Sequence, residues 1–254
     1  MKVVRCISMA GIVWTSLCAA QAGEPLRLRV MAQESLPPKW LLRNGQPDGL
    51  CPDILEAIEK IEPRLEFSGQ EDLRSVLMIE QGLESGGVSC ACALLDTEKR
   101  RKIATVVGKP LYMVRQRIAA AAGDKVVIDS LDDLVKLKPL ITTSRGAGYA
   151  EQLRTLGLEV DDSTGDNLTN LKKIIGGHGR FFYMNELTLS WIVRDNALND
   201  KVRILPEVLK EDPIYFWISK KADPQAVRLV DRALNKLKAN GELLRIYERW
   251  NKDR

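Results

Sequence analysis

Val88-Ser89-Cys90-Ala91-Cys92-Ala93-Leu94-Leu95 is an uncharged, mostly apolar run with Gly86-Gly87 before it and Asp96 after it. Such a run suits a strand buried on both faces, as in a parallel sheet covered by helices. Working backwards, residues 72–84 place Leu73, Val76, Leu77 and Leu83 at helical spacing. Leu65-Glu66-Phe67 suits a short strand. Pro52-Asp53 opens a helix with Ile54, Leu55, Ile58 and Ile61 on one face, and Pro63 ends it. Residues 26–32 alternate apolar and polar as a strand does, and Pro37-Pro38 and Asn44-Gly45 mark the loop that follows. Strand, helix, strand, helix, strand is a parallel α/β unit.

Working forwards, the pattern restarts with an extended segment at 111–122. A short helix at 129–134 and a buried strand at 140–143 follow. Ser144-Arg145-Gly146-Ala147-Gly148-Tyr149 is a glycine-bearing turn into a helix at 150–156. Asp166 caps another helix, closed by Gly176-Gly177; residues 180–184 read as a strand and 186–194 as a helix. Residues 214–219 form the last strand. Asp223-Pro224 then starts a helix carrying Val227, Val230, Leu234 and Leu237, and a final turn ends at Trp250. Two α/β units predict two lobes, with the C-terminal helices returning to the first. No internal repeat or low-complexity tract interrupts them.

Composition narrows the chemistry. The chain has 254 residues, 45% hydrophobic and 28% charged, with a net charge of +4, too weak for a nucleic-acid binder. One histidine, His178, excludes a multi-histidine metal site, and its Gly176-Gly177-His178-Gly179 setting predicts an exposed turn. Residues 1–22 read as an export signal. Lys2 and Arg5 precede an uncharged run from Cys6 to Leu17, and Ala20-Gln21-Ala22 has the small-x-small form of a cleavage site. Those 12 residues, rising ~1.5 Å each, are too short for a ~30 Å hydrocarbon core. Thr15 stands where a lipoprotein signal would place leucine. Cleavage before Gly23 predicts a periplasmic protein of 232 residues, 22 fewer than the full 254, with three cysteines: Cys51, Cys90 and Cys92. An odd count in an oxidising compartment predicts one disulfide and one spare thiol. Cys51–Cys92 is the favoured pair and Cys51–Cys90 the alternative, with thiolate metal binding as a weaker rival.

The order of segments resembles the family 3 bacterial extracellular solute-binding proteins, which have a type II periplasmic binding fold: two α/β lobes joined by a two-stranded hinge. Asp48-Gly49-Leu50-Cys51-Pro52-Asp53-Ile54-Leu55 sits where the family has its glycine and first helix. Thr97-Glu98-Lys99-Arg100 matches its Thr-x-x-Arg signature, and Lys109-Pro110-Leu111-Tyr112 its Pro-Tyr segment. Ser130-Leu131-Asp132-Asp133-Leu134 resembles the opening of the second lobe, and residues 215–250 the closing strand and helices. The resemblance spans the mature chain. It implies lobe 1 at 23–114, lobe 2 at 115–208 and a return to lobe 1 at 209–254, with crossings near 112–117 and 205–214. It further implies a monomer, without cofactor, that closes on a small solute and delivers it to a membrane ABC permease.

The resemblance assigns Arg100 to the ligand carboxylate, which a guanidinium can grip bidentately. It assigns Arg145, Gly146, Ala147 and Gly148 to an anion seat at a helix N-terminus. Trp40 and Tyr112 fall near the expected mouth of the cleft. Arg100→Ala is accordingly expected to lose binding with little loss of stability. Three departures tell against an ordinary amino-acid ligand. Cys92-Ala93-Leu94-Leu95 lacks the family's hydroxyls, and Leu36 stands for its first-loop aromatic. Asn185 replaces the aspartate that receives an ammonium, unless Glu186 takes that role. The alternatives are a periplasmic enzyme resembling cyclohexadienyl dehydratases, for which Glu186 is the nearest general acid, and a solute-binding sensory protein.

Overall fold

The computed structural model describes residues 24–251. The segment read as an export signal lies outside the described residues. The chain runs through β1 (Leu26–Arg29), β2 (Ala32–Gln33), β3 (Leu41–Arg43), β4 (Gln46–Asp48), α1 (Leu50–Ile61), β5 (Leu65–Ser68), β6 (Leu73–Arg74), α2 (Val76–Ser85), β7 (Cys90–Leu95) and α3 (Glu98–Ile103). The long β8 (Ala104–Ala121) leads to α4 (Leu131–Leu137), β9 (Leu140–Thr142), α5 (Gly148–Thr155), β10 (Glu159–Asp161), α6 (Asn167–Ile175), β11 (Phe181–Asn185), α7 (Glu186–Asp195) and β12 (Val202–Ile204). β13 (Lys210–Ser219), α8 (Pro224–Ala239) and α9 (Glu242–Asn251) complete it.

α1 starts at Leu50, two residues before the expected Pro52, because Pro52 fits the first turn, where amide hydrogens have no intrahelical acceptor. It buries Leu50, Ile54, Leu55 and Ile58 along one face. Gly49 precedes it at φ 124°, and a Cβ there would lie 2.6 Å from the Pro38 carbonyl oxygen. The helix expected over 72–84 begins later. Leu73–Arg74 pairs with β2 as a short parallel strand, and Ser75 caps α2, its Oγ accepting from the Met78 N–H at 3.4 Å. The expected final turn is instead a ten-residue helix, α9, which buries Leu243 and Ile246.

One sheet, ordered β10-β9-β11-β8-β13-β7 with β12 also on β8, runs through both halves of the molecule. β8 is longer than the expected 111–122 because it absorbs Gly108-Lys109-Pro110 in a register irregularity: Ile214 faces Tyr112 while Phe216 faces Val107. It pairs with β13 through Gln116 and with β11 from Gln116 onward, so it passes from one half to the other at that residue. β8 and β13 are thus the strands that link the halves. α8 and α9 return to pack on α1. Trp250 Nε1 donates to Asp53 at 2.7 Å, and Arg232 forks onto Glu62 at 2.6 and 2.8 Å. Trp217, Phe181, Phe182 and Phe216 are fully buried; an aromatic of that size contributes ~1.5–3 kcal/mol on leaving water.

Cys51 on α1 and Cys92 on β7 form a disulfide with Cα atoms 5.9 Å apart. Cys90 is a free thiol, fully buried, and burial pushes its pKa far up. His178 is exposed.

Candidate functional site

Among the described residues two buried polar side chains are cations, Lys39 and Arg100, and both line one cavity of about 70 Å³. Each is held by a carbonyl of β7. Thr97 caps α3, its Oγ1 accepting from the Arg100 N–H at 3.2 Å, and the short helix aims the Arg100 side chain inward. Arg100 is 3% exposed. Its Nε donates to Glu80 on α2 at 2.9 Å and its Nη1 to the Leu95 carbonyl at 2.8 Å. Glu80 also pairs with the Lys99 ammonium at 2.6 Å. Burial pulls the Arg100 pKa down, and the adjoining Glu80 carboxylate opposes that pull. Among the described residues Nη2 makes no hydrogen bond, which leaves it for a ligand.

The second cation, Lys39, was not singled out by the sequence reading. Its Nζ donates to the Ala93 carbonyl at 2.6 Å and to Gln33 Oε1 at 2.7 Å. Burial, and secondarily the charge of Arg100, hold its pKa well below the usual lysine value. A bulge in β7 creates the acceptor. Between Tyr215 and Trp217 the register slips, and Ala93 adopts φ 63°, a conformation costly for a side chain other than glycine's. The segment that lost the family's hydroxyls therefore serves the cavity through its backbone.

The opposite wall comes from the second half. Ala147, Gly148 and Tyr149 line the cavity at the N-terminus of α5, which no side chain caps, so its first N–H groups stay open to an anion. Gly146, at φ 74°, packs on α2: a Cβ there would fall 2.7 Å from Val76 Cγ1. At Gly148 a Cβ would fall 2.9 Å from Thr97 Cγ2. Asn167 Nδ2 also donates to the Ser35 carbonyl across the cleft, so the halves are closed on one another.

Not every expected residue gathers here. Arg145 is exposed and does not line the cavity; its N–H donates to the Thr164 carbonyl at 2.9 Å. Arg145→Ala is therefore expected to leave solute affinity within about twofold by calorimetry, since solvent screens an exposed charge. Trp40 is buried in the core, away from the lining. Tyr112 does line the cavity, its ring stacked on Tyr247 at 4.9 Å. Leu36 lines it as well. Asn185 lines it while capping α7, its Oδ1 accepting from the Thr188 N–H at 3.0 Å. Glu186 pairs with Arg117 at 3.0 Å and Arg115 at 3.8 Å and is not part of the lining. Gln116, at the point where β8 passes between the halves, reaches the cavity too. Its Nε2 donates to Asp212 at 3.2 Å, and its buried Oε1 has no partner. Among the described residues none that lines the cavity is acidic.

The model of the bacterial extracellular solute-binding proteins, family 3, matches residues 28–253. No curated protein sequence matches the chain. Among solved structures, a histidine kinase sensor domain with similarity to periplasmic binding proteins is 18% identical with a TM-score of 0.75, over 89% of this chain and 96% of that one. A putative binding component of an ABC transporter from Wolinella succinogenes DSM 1740, complexed with lysine, gives 18% and 0.74 over the same shares. The ancestral amino-acid-binding protein AncCDT-1, a precursor of cyclohexadienyl dehydratase, gives 20% and 0.70, again over 89% and 96%. At these identities the likeness establishes the fold, which is the type II periplasmic binding fold. Among the described residues no helix is long and apolar enough to cross a membrane.

Proposed function

The chain belongs to family 3 of the bacterial extracellular solute-binding proteins, and we propose that it is exported to the periplasm, captures a small carboxylate-bearing solute between its halves and delivers it to a membrane ABC permease. One observation carries this reading. A buried guanidinium, with Nη2 uncommitted among the described residues, and an uncapped helix N-terminus line the same cavity. A carboxylate placed there accepts charge-assisted bonds from the arginine and backbone bonds from α5.

In this reading the lobes are residues 23–114 with 209–254, and 115–208, hinged where β8 and β13 cross between them. The protein acts as a monomer. Binding, not catalysis, is favoured because dehydration needs a general acid in the cleft, and the nearest candidate, Glu186, is committed to Arg117 outside the lining. Closure around a ligand is a hinge motion. Small-angle scattering is expected to show a smaller radius of gyration with a bound carboxylic acid than without it. An unchanged radius at saturation, verified by calorimetry, counts against the clamp.

A further inference from the structure

We propose that the cavity selects carboxylic acids without an amine, with Lys39 holding a second oxygen group of the ligand where an amino acid would bring its ammonium. The inference deepens the solute-binding reading and rests on it.

Charge is the first argument. Lys39 and Arg100 both line the cavity, and among the described residues no lining residue is acidic. Glu80 answers Arg100 from behind, and among the described residues no carboxylate pairs with Lys39. An ammonium brought into this space finds no lining carboxylate to pair with among the described residues and meets the Arg100 guanidinium, a repulsion that grows as the local dielectric falls. Asn185 offers only an amide, its oxygen already accepting from Thr188. An amide oxygen cannot neutralise an ammonium as a carboxylate does.

Placement is the second argument. Lys39 and Arg100 are anchored on the carbonyls of Ala93 and Leu95, two residues apart on one strand. A regular strand sets such carbonyls about 6–7 Å apart. Two oxygen groups on a short carbon skeleton span that interval. With two acceptors already taken up, an ammonium at Lys39 has one N–H left for the ligand.

The unpartnered Gln116 Oε1 is the third. It sits in the lining, 1% exposed, and needs a donor. A ligand hydroxyl supplies one without adding charge. The ligand that meets all three features is a short hydroxy acid or hydroxy-dicarboxylate: one carboxylate on Arg100 and α5, a second oxygen group on Lys39, and a hydroxyl to Gln116.

Matched pairs test this directly, because they differ only in a hydroxyl replacing an ammonium. The protein is titrated calorimetrically with malate against aspartate, 2-hydroxyglutarate against glutamate, and lactate against alanine. The hydroxy acid of at least one pair is expected to bind 30-fold or more tightly than its amino partner. Lys39→Met should weaken that acid at least tenfold, with circular dichroism confirming the fold. Asn185→Asp keeps a good helix cap and should raise amino-acid affinity at least tenfold. Amino acids binding as well as or better than hydroxy acids overturns the inference and leaves the solute-binding reading intact. Absence of binding in both series overturns the two together.

Discussion

Arg100→Ala is expected to lose at least 100-fold in affinity for any acid the wild-type protein binds, and also about 3 kcal/mol of stability. The first loss follows from removing a guanidinium that lines the cavity and whose Nη2 is uncommitted among the described residues; a factor of 100 corresponds to ~2.7 kcal/mol. The second departs from the expectation, drawn from the motif alone, that the arginine is dispensable to the fold. Arg100 is 3% exposed and Glu80 5% exposed, with 2.9 Å between Nε and Oε1. Deleting one partner of a buried pair leaves the other charge uncompensated, which costs ~3–5 kcal/mol. Lys99 stays on Glu80 from the solvent side, which places the cost at the low end. In a protein of this size ~3 kcal/mol is a fall of roughly 6–12 °C in melting temperature. Replacing both Arg100 and Glu80 by methionine removes the stranded charge. It should recover most of the stability but none of the binding. Equilibrium urea unfolding and calorimetry separate the two effects. A single Arg100→Ala variant with full stability, or with intact affinity, contradicts the arrangement.

What could be read from the sequence follows from which interactions are local. Helix caps at Ser130, Asp166 and Asp223 depend on a few neighbouring residues, and all three hold. The uncharged run 88–95 gave a fully buried strand for the same reason, although it stands at the end of the sheet order and pairs antiparallel with β13 where a parallel sheet was expected. Arg100 was singled out by the resemblance, through the Thr-x-x-Arg pattern, whose Thr97 and Arg100 share one turn of helix. Lys39 was not. It stands in a loop after Pro37-Pro38, where a lysine normally faces water. Its burial depends on the Ala93 carbonyl, 54 residues later in the chain, being turned by a bulge. Gln116 was hidden similarly: its place at the crossing is set by β11 and β13, both far along the chain. Arg145 differs in the opposite sense: expected at the anion seat, its side chain is exposed and outside the cavity lining. The glycine turn does reach the cavity, yet a turn of one residue's difference sends that side chain to solvent. Spacing locates a turn; the tertiary path decides which of its side chains points inward.

Removing the Cys51–Cys92 disulfide should weaken both the fold and the site. The bridge closes a loop of sequence separation 41, and loop-closure entropy gives about 4 kcal/mol for a loop of that length. The Cys51→Ala/Cys92→Ala protein should therefore unfold at lower guanidinium concentration, with a steeper slope because the unlinked denatured chain exposes more surface. The effect on binding has a separate cause. The Cys51 N–H donates to the Lys39 carbonyl at 3.0 Å, and the Leu50 N–H to the Pro38 carbonyl at 3.0 Å, so the start of α1 holds the loop that carries Lys39. At the other end, Cys92 adjoins Ala93, whose carbonyl holds the Lys39 ammonium. The bridge thus ties the Lys39 backbone to its acceptor. Cutting it frees both, and affinity should fall about tenfold, ~1.4 kcal/mol, under conditions where the variant is still folded. Cys90 adds an internal check, since it is buried and its thiol is held protonated. Exported protein, beginning after residue 22, should yield one thiol per chain when unfolded without reductant, and almost none while folded. A count of three rules out the bridge. Unchanged affinity in the cysteine-free pair, with stability lowered as expected, would show instead that the disulfide serves the fold alone and that Lys39 is held in place by its own hydrogen bonds.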